Sequence, residues 1–308
     1  MPKKNPLVSV GIVTWNGGNS FKKCLKKVLE HDYSPMEIIV VDNASIDGST
    51  KGIDQKKVKL IINDKNRGSA GGYNLCYANA RGKYVVLLAH DDFLEKGCIR
   101  ELVRGMEMDP SLGCAEGECR HLNGVVYNGN VTVIMSNKRA PENQMRKFYP
   151  GDPIIVRNGI VDRFTDSDYF FYGEDIFAGW LIHLRGFRCG RILSGKIIHE
   201  GSPTVGRQPK FYRYIDERNR WMTYLTCYQK KNIIRYLPLN VFFTLLRLIK
   251  GIFNGYFFSY LKAHLWILVH LNVVKKKRNY VQSLRKVPDS EIIKDLEPVG
   301  VMEILRMK

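Results

Sequence analysis

Polar residues follow three apolar, β-branched runs in the first third of the chain. The runs end at Thr14-Trp15-Asn16, at Asp42-Asn43 and at His90-Asp91-Asp92. Asp42 can accept hydrogen bonds from a base or a ribose, and Asp91 can ligate a hard divalent cation that bridges two phosphates. These residue types therefore indicate binding of a phosphorylated nucleotide together with Mg²⁺ or Mn²⁺.

Three of these residues also have a purely structural interpretation. Asp and Asn readily bond their own downstream backbone, so Asp42-Asn43 is also typical of a turn. Asp92-Phe93-Leu94-Glu95 matches a capping box that opens the next helix. We therefore assign the metal to Asp91 and give Asp92 a supporting role.

A glycine-rich segment supplies further candidates for nucleotide binding. It runs from Asn66 and Arg67 to Gly72 and opens a helix, so its backbone N–H groups and the Arg67 guanidinium can face an anion. The glycine spacing does not match the dinucleotide-binding fingerprint, so the segment alone is a weak signal.

Two later positions in the chain carry ionisable side chains that can act as acids, bases or metal ligands. Glu174-Asp175 follows the aromatic run 169–172 and begins a helix. Acids in a first helical turn are commonly only dipole partners, but an acid beside an aromatic wall can also act as a general base. His199 closes an apolar strand, where a single histidine is more often structural than a ligand.

Alternating strands and helices must position these residues. The pattern predicts strands over Val8–Thr14, Glu37–Val41, Lys59–Ile62 and Tyr84–Leu88, helices over Ser20–Glu30, Gly71–Ala80, Leu94–Met108 and Glu174–Arg185, and one or two strands over Phe187–His199. Such alternation implies an α/β fold with a mostly parallel sheet, whose strands present ligands at their carboxyl ends. The candidate residues should therefore lie along one rim.

Composition limits the classes of protein to consider. The chain has 308 residues, 44% of them hydrophobic, which is enough for one large domain and an appendage. A formal charge of +18 indicates an anionic partner, but no recognised motif for nucleic-acid binding accompanies it. The seven scattered cysteines are typical of reduced thiols in a cytosolic chain, and no signal-peptide pattern is visible.

The residues beyond Pro209 alternate aromatic or aliphatic runs with Lys and Arg. Over Phe242–Tyr260, one predicted helix face carries Arg247, Lys250, Gly251 and Asn254, and the other carries Leu245, Ile249, Ile252, Phe253, Tyr256 and Tyr260. Such a helix can lie in the lipid headgroup layer or pack on the α/β domain. Arg247, Lys250 and Lys262 interrupt the most apolar region, so no spanning helix of about 20 apolar residues is expected.

A membrane surface is the partner that this charge and aromatic pattern favours. The segment Asn232–Arg278 ends in Lys275-Lys276-Lys277-Arg278. We expect its apolar face to bury shallowly in a cytoplasmic leaflet while Arg247, Lys250 and the terminal cluster meet anionic headgroups.

In order and spacing, the segments between about Val8 and Gly206 resemble glycosyltransferase family 2, the inverting enzymes with the Rossmann-like GT-A fold. The matching segments are 10–16, 40–49, 66–74, 87–92, 173–175, 184–187 and 198–199. Within the family, the chain looks most like rhamnosyltransferase-type enzymes, which also carry an Arg-Asn element, here Arg218-Asn219, before a basic amphipathic region.

The resemblance implies a role for each candidate. Asp175 would be the catalytic base with Glu174 as the fallback, Asp91 the last acid of the DxD motif, His199 a further metal or diphosphate contact, Asp92 a support, and Thr14, Asn16, Asp42, Asn43, Asn66, Arg67 and Gly72 the nucleotide-binding set. The first acid of the motif falls at Ala89, which removes one carboxylate from the site.

The implied protein is a hexosyltransferase in two parts. Residues 1–206 would form the GT-A domain, and residues 207–308 a helical, membrane-associating region. It would move a sugar from a UDP- or dTDP-sugar to a glycan or lipid-linked acceptor. Two other functions stay open: an inactive nucleotide-binding scaffold, which Ala89 allows, and a nucleic-acid-binding protein, which the charge allows.

Overall fold

The computed structural model describes residues 4–126, 129–135, 137–139, 144–151, 153–201 and 208–296. The expected boundary between residues 206 and 207 lies outside the described residues. All the candidate site residues predicted from the sequence lie within these ranges.

The first third of the chain folds as the alternation predicts. Strands β1 (Val8–Thr14), β2 (Met36–Asp42), β3 (Val58–Ile62) and β4 (Tyr84–Ala89) alternate with helices α1 (Gly18–Leu29) and α2 (Gly68–Ala78). All seven residues of β1 are buried, because its two faces pack against different hydrophobic clusters. A strand buried on both faces reads as a continuous apolar run, which is why these elements are visible in the sequence.

One large mixed sheet organises the domain. Its remaining strands are β5 (Asp92–Leu94), β6 (Leu112–His121), β9 (Arg146–Lys147), β10 (Ile154–Arg157) and β11 (Arg188–His199), while β7 (Gly129–Val131) pairs separately with β8 (Asn137–Arg139). The order is β3-β2-β1-β4-β10-β6-β11-β5, with β9 beside β11. Strand β10 runs antiparallel to both neighbours, and β5 is antiparallel to β11. The expectation of a mostly parallel α/β sheet is confirmed.

The predicted capping box at Asp92 is wrong. Helix α3 spans Cys98–Met108 and begins four residues later than the predicted helix, directly after Gly97, whose φ is 79°. Residues Asp92–Leu94 instead pair as β5 with Ile197–His199 of β11. The Asp92 carboxylate cannot cap a helix here because its Oδ2 accepts from the Ala89 N–H at 2.8 Å.

The C-terminal half of the described chain is helical. Helix α4 (Glu174–Leu184) precedes β11, and α5 (Pro209–Cys227), α6 (Lys230–Asn254), α7 (Phe257–Val269), α8 (Leu271–Ser283) and α9 (Asp289–Ile292) follow it. The predicted single helix over Phe242–Tyr260 is wrong, because Gly255, with φ 76°, separates α6 from α7.

Arg247 of the predicted polar face does not point outward. The Arg247 guanidinium points inward to Glu217 at 2.8 Å, while Leu245, Ile249 and Ile252 are exposed. By length and composition α6 can cross a membrane, with a mean hydropathy of 1.4 over an 18-residue window of which only 22% is buried. The expectation that charges interrupt every such stretch is therefore wrong for α6.

Candidate active site

The carboxyl ends of β1, β2 and β4 lie side by side at one edge of the sheet. In the parallel register Thr14 is opposite Asp42, and Val13 is opposite Ala89. Parallel strands present their carboxyl ends at the same edge, so the polar residues that follow them share one rim.

Asp91, Asp92 and His199 form a compact group at this rim. Each offers one ligand atom, and these atoms all lie within 4.8 Å of one another. The pairing of β11 with β5 places His199 opposite Asp92. His199 Nδ1 lies 2.8 Å from Asp92 Oδ1, and His199 Nε2 lies 3.7 Å from Asp91 Oδ2.

The donor set of this group fits a divalent cation. Asp91 Oδ2 is buried and has no hydrogen-bond partner among the described residues. Burying a carboxylate oxygen without a hydrogen bond costs free energy of folding unless a cation or a hydrogen-bond donor contacts it. The Asp92 carboxylate holds the imidazole ring so that Nε2 faces Asp91, an arrangement typical of metal-ligating histidines. Asp91 and His199 Nε2 can therefore ligate the cation, and Asp92 can orient the His199 ring.

The loop after β2 uses the Asp42 carboxylate to hold its own shape. Asp42 Oδ1 accepts from the Ser45 N–H at 2.8 Å, and Oδ2 accepts from the Thr50 hydroxyl at 2.5 Å. Both of these Asp42 contacts are those of a turn, which is the structural role that the sequence left open for this residue. Asn43 links the same strand end to α2, since its Nδ2 donates to the Gly68 carbonyl at 2.9 Å and its Oδ1 accepts from Asn63. Asn43 therefore bridges β2 and the start of α2, and its expected contact with the nucleotide stays a prediction.

Thr14 and Asn16 lie beside this loop. Asn16 Oδ1 accepts from the Ile46 N–H at 2.9 Å, and the Ser45 hydroxyl accepts from the Asn16 N–H at the same distance. The Thr14 hydroxyl is buried and has no hydrogen-bond partner among the described residues. Asn16 thus ties the first strand end to the loop, and Thr14 has hydrogen-bonding capacity left for a ligand.

Protein groups bond two of the N–H groups at the start of α2, the segment that the sequence indicates as an anion site. The Ala70 N–H donates to the Phe170 carbonyl at 3.2 Å, so a later loop covers the helix end. Asn66 Oδ1 accepts from the Gly68 N–H at 2.8 Å. Gly72 lies against β1, because a Cβ there would lie 2.4 Å from Val13 Cγ1. Gly72 therefore serves close packing of α2 on β1.

Arg67 is the member of this segment that stays accessible. Its side chain is 47% exposed and its Nη2 lies 2.8 Å from Asp64 Oδ1, itself an exposed carboxylate. A surface ion pair of this kind contributes little to stability and is readily exchanged for another anion. Arg67 can therefore turn to a phosphate at the rim.

Glu174 and Asp175 begin α4 beside the start of α2. Glu174 is buried and accepts a hydrogen bond from the Ser69 hydroxyl. Burial, with the charge of Asp175 as a second cause, raises the pKa of Glu174 to about 8. Burial also raises the pKa of Asp175, to about 6, although the Ile176 N–H donates to its Oδ1 at 2.8 Å. Burial therefore disfavours the ionised form of both carboxyls.

Ser69 is a residue of this site that no sequence pattern indicated. Its hydroxyl contacts both Glu174 and, at 3.3 Å, the Phe170 carbonyl. A serine in the first turn after Gly68 is a weak sequence signal, because such residues most often only cap their own helix. Its partners are about one hundred residues away and become visible only in the fold.

Comparison with known proteins agrees with this outline. Residues 9–156 match the glycosyl transferase family 2 model. Chondroitin synthase of Escherichia coli is 25% identical over 206 residues, which is 63% of this chain and 30% of that protein. The chain spans less than half the length of the curated relatives that it matches first, between 30% and 46%.

Two solved structures share the fold. The mannosyltransferase PcManGT of Pyrobaculum calidifontis in complex with GDP-Man and Mn²⁺ has a TM-score of 0.54 at 18% identity, over 92% of this chain and 86% of that one. Residues 1–349 of Staphylococcus aureus TarS in complex with UDP-GlcNAc give 0.55 at 14% identity, over 75% of this chain and 71% of that one. Residues 9–156 are therefore similar to glycosyl transferase family 2, and they belong to a sheet of GT-A architecture.

Proposed function

We propose that the protein transfers a sugar from a nucleotide-sugar donor to an acceptor hydroxyl. The observation that carries the proposal is the Asp91–Asp92–His199 group, which lies at the same sheet edge as the loop after β2. The fold neighbours are complexes with UDP-GlcNAc and with GDP-Man and Mn²⁺, which supports a nucleotide-sugar donor and a divalent cation.

The chain's own residues have distinct tasks in this reaction. The acceptor oxygen forms a bond to the anomeric carbon, its proton passes to Asp175, and the bond from that carbon to the diphosphate breaks. Bound at Asp91 and His199, Mg²⁺ or Mn²⁺ would neutralise charge that develops on the leaving diphosphate. Arg67 can add a second positive charge at the rim.

Asp175 suits the role of base better than its neighbour Glu174. A general base works best when its pKa lies near the working pH and its carboxylate is ionised there. Burial raises the pKa of Asp175 to about 6, which meets that condition, whereas the buried Glu174 carboxyl is already engaged by the Ser69 hydroxyl. Two adjacent acids with separated pKa values commonly mark different roles.

In finer detail we propose an inverting hexosyltransferase of the rhamnosyltransferase type that uses a UDP- or dTDP-sugar. A single displacement at the anomeric carbon inverts its configuration. The Arg218-Asn219 element and the order of motifs support this subgroup.

A screen of nucleotide-sugar donors for thermal stabilisation tests the proposed function. Because a ligand that binds only the folded state raises the unfolding temperature by mass action, one donor with Mn²⁺ should stabilise the protein more than its free nucleotide does. Chelation of the cation should remove most of this shift. If no nucleotide sugar shifted the unfolding temperature with Mg²⁺ or Mn²⁺ present, the proposal would fail. Binding of a donor without release of its nucleotide, with any acceptor, would favour the inactive scaffold.

We also propose that α6 and α7 contact the cytoplasmic leaflet of a membrane, where a lipid-linked acceptor would be within reach. The outward surface of these helices, here called the lipid face, is apolar, with Leu237, Val241, Phe242, Leu245, Ile249, Ile252, Phe253, Phe258, Leu265 and Leu268 all more than 40% exposed. The inward surface of α6 is polar, since Asn240 and Thr244 accept hydrogen bonds from the buried Arg220 guanidinium. Apolar outside and polar inside is the reverse of a water-exposed helix and suits a lipid surface.

Several of the basic residues that the sequence assigned to anionic headgroups bind protein groups instead. Arg247 binds the buried Glu217, Lys277 pairs with Asp166 and Asp168, and Arg278 donates to the carbonyls of Leu225 and Tyr228. Of the four-residue cluster, Lys275 and Lys276 are the members with exposed side chains. Each basic residue near an anionic surface contributes about 1 kcal/mol, so the contribution of this cluster to binding should correspond to two such charges.

We expect the lipid face to dominate vesicle binding. Replacing Leu245, Ile249 and Ile252 together with Gln should weaken binding to vesicles that contain acidic lipid at least tenfold, because three exposed apolar side chains lose their transfer from water. As a control, Lys275→Gln with Lys276→Gln should mainly reduce the sensitivity of binding to salt. Cosedimentation measures both. Unchanged binding of the triple Gln variant would show that the lipid face does not meet the membrane.

A further inference from the structure

The loop that leads into Asp175 has an unusual backbone. It is here called the base loop and comprises residues 166–173, a short turn at Ser167–Tyr169 followed by an irregular stretch. Phe170 and Tyr172 have φ values of 62° and 61°, which non-glycine residues rarely adopt. Such conformations cost free energy and persist only where surrounding contacts determine them.

One buried side chain bonds three carbonyls of this loop. Asn219 Nδ2 of α5 donates to the carbonyls of Tyr169, Phe171 and Tyr172 at 2.9, 3.1 and 2.6 Å. The carbonyl of Phe170 points the other way and accepts from the start of α2. The positive φ values thus turn the Phe170 carbonyl toward α2 while the other three carbonyls face α5.

The neighbouring arginine fixes the orientation of this amide. Arg218 Nε and Nη2 donate to Asn219 Oδ1 at 3.1 and 2.8 Å, so the amide nitrogen must face the loop. Arg218 Nη2 also donates to the Asp168 carbonyl at 2.6 Å. Asn219 is 1% exposed, which leaves this network no exchange with water.

We infer that Asn219, oriented by Arg218, is a positioning residue that sets where the Asp175 carboxylate lies. Asp175 follows the last bonded carbonyl, that of Tyr172, by three residues, through Gly173, and belongs to the first turn of α4. The direction of the first turn of α4 depends on the shape of the base loop. That shape depends on the hydrogen bonds from Asn219, because non-glycine residues do not favour positive φ values. The inference rests on the proposed function, because it assigns Asn219 a task in proton removal.

The test compares Asn219→Ala with Asn240→Ala. Asn240 is also a buried asparagine of the C-terminal helices, bonded to Arg220 and to the Tyr236 carbonyl, but it makes no contact with the base loop. Asn219→Ala should speed deuterium uptake in residues 168–175 at least tenfold and lower kcat at least tenfold. The KM for the donor should change less than twofold. The acid limb of the kcat profile should move to lower pH, because a loosened loop exposes Asp175 to water.

Two outcomes would overturn the inference: normal uptake and kcat in Asn219→Ala, or an equal loss of kcat in Asn240→Ala. If Asn219→Ala does not fold, Arg218→Gln, which removes the group that orients the amide, is measured in the same way. Asp175→Asn separates the two proposals. Full activity of that variant would refute the base assignment itself, whereas an inactive Asp175→Asn beside a normal Asn219→Ala would refute only the role of Asn219.

Discussion

Asp91→Asn is expected to lower turnover about 10²- to 10³-fold while the protein stays folded. The Asp91 Oδ2 atom is buried, lies 3.7 Å from His199 Nε2 and has no hydrogen-bond partner among the described residues. An amide there keeps the shape but loses the charge that a hard cation prefers. Loss of charge neutralisation at a leaving diphosphate costs several kcal/mol of transition-state stabilisation.

The measurement should include a readout besides turnover. Titration of Mn²⁺ in the presence of nucleoside diphosphate should show affinity at least tenfold weaker in Asp91→Asn. Asp54→Asn is a matched control, since Asp54 carries an exposed carboxylate that bonds only its own loop. Wild-type turnover and Mn²⁺ affinity in Asp91→Asn would remove Asp91 from the metal site.

Asp175→Asn is expected to lower transfer at least 10³-fold and to leave donor affinity within twofold of wild type. Removal of a base affects the transition state and not the nucleotide contacts, and general base catalysis commonly contributes 10²- to 10⁴-fold. Glu174→Gln is the matched control. Because burial keeps Glu174 protonated up to about pH 8, glutamine resembles its working state, and kcat should fall less than tenfold.

If Asp175 is the base, its ionisation determines the pH dependence of kcat. Asp175 must be ionised to accept a proton, and burial raises its pKa to about 6. The rate should therefore be constant at neutral pH and fall about tenfold per pH unit below about 6. An inactive Glu174→Gln beside an active Asp175→Asn would reverse the two roles.

The sequence was sufficient for the elements whose signals are local. Strands β1 and β4 are nearly continuous apolar runs because both sheet faces are covered there, and the polar ends of β1, β2 and β4 meet at one edge because these strands are parallel. The register of β11 with β5, which brings His199 to Asp92, depends on pairing across about one hundred residues. No local pattern reveals such pairing, so Asp92 resembled a helix cap.

The C-terminal helices show a second limit of sequence patterns. A helical wheel separates Arg247 from Ile249 and Ile252 correctly, but it does not say which side faces the protein. The buried Glu217 of α5 attracts Arg247 inward and leaves the apolar side exposed. The role of Asn219 was hidden for the same reason, because its three partners belong to a loop about fifty residues earlier.

Release of nucleoside diphosphate tests the central claim most directly. The purified protein, with vesicles of acidic lipid carrying a lipid-linked glycan fraction, is incubated with each UDP- and dTDP-sugar and Mn²⁺. We predict that one donor releases one nucleoside diphosphate for each sugar incorporated into the acceptor. Asp91→Asn and Asp175→Asn should each abolish the release and the incorporation. Release from no donor, or release at the same rate in both variants, would contradict the account.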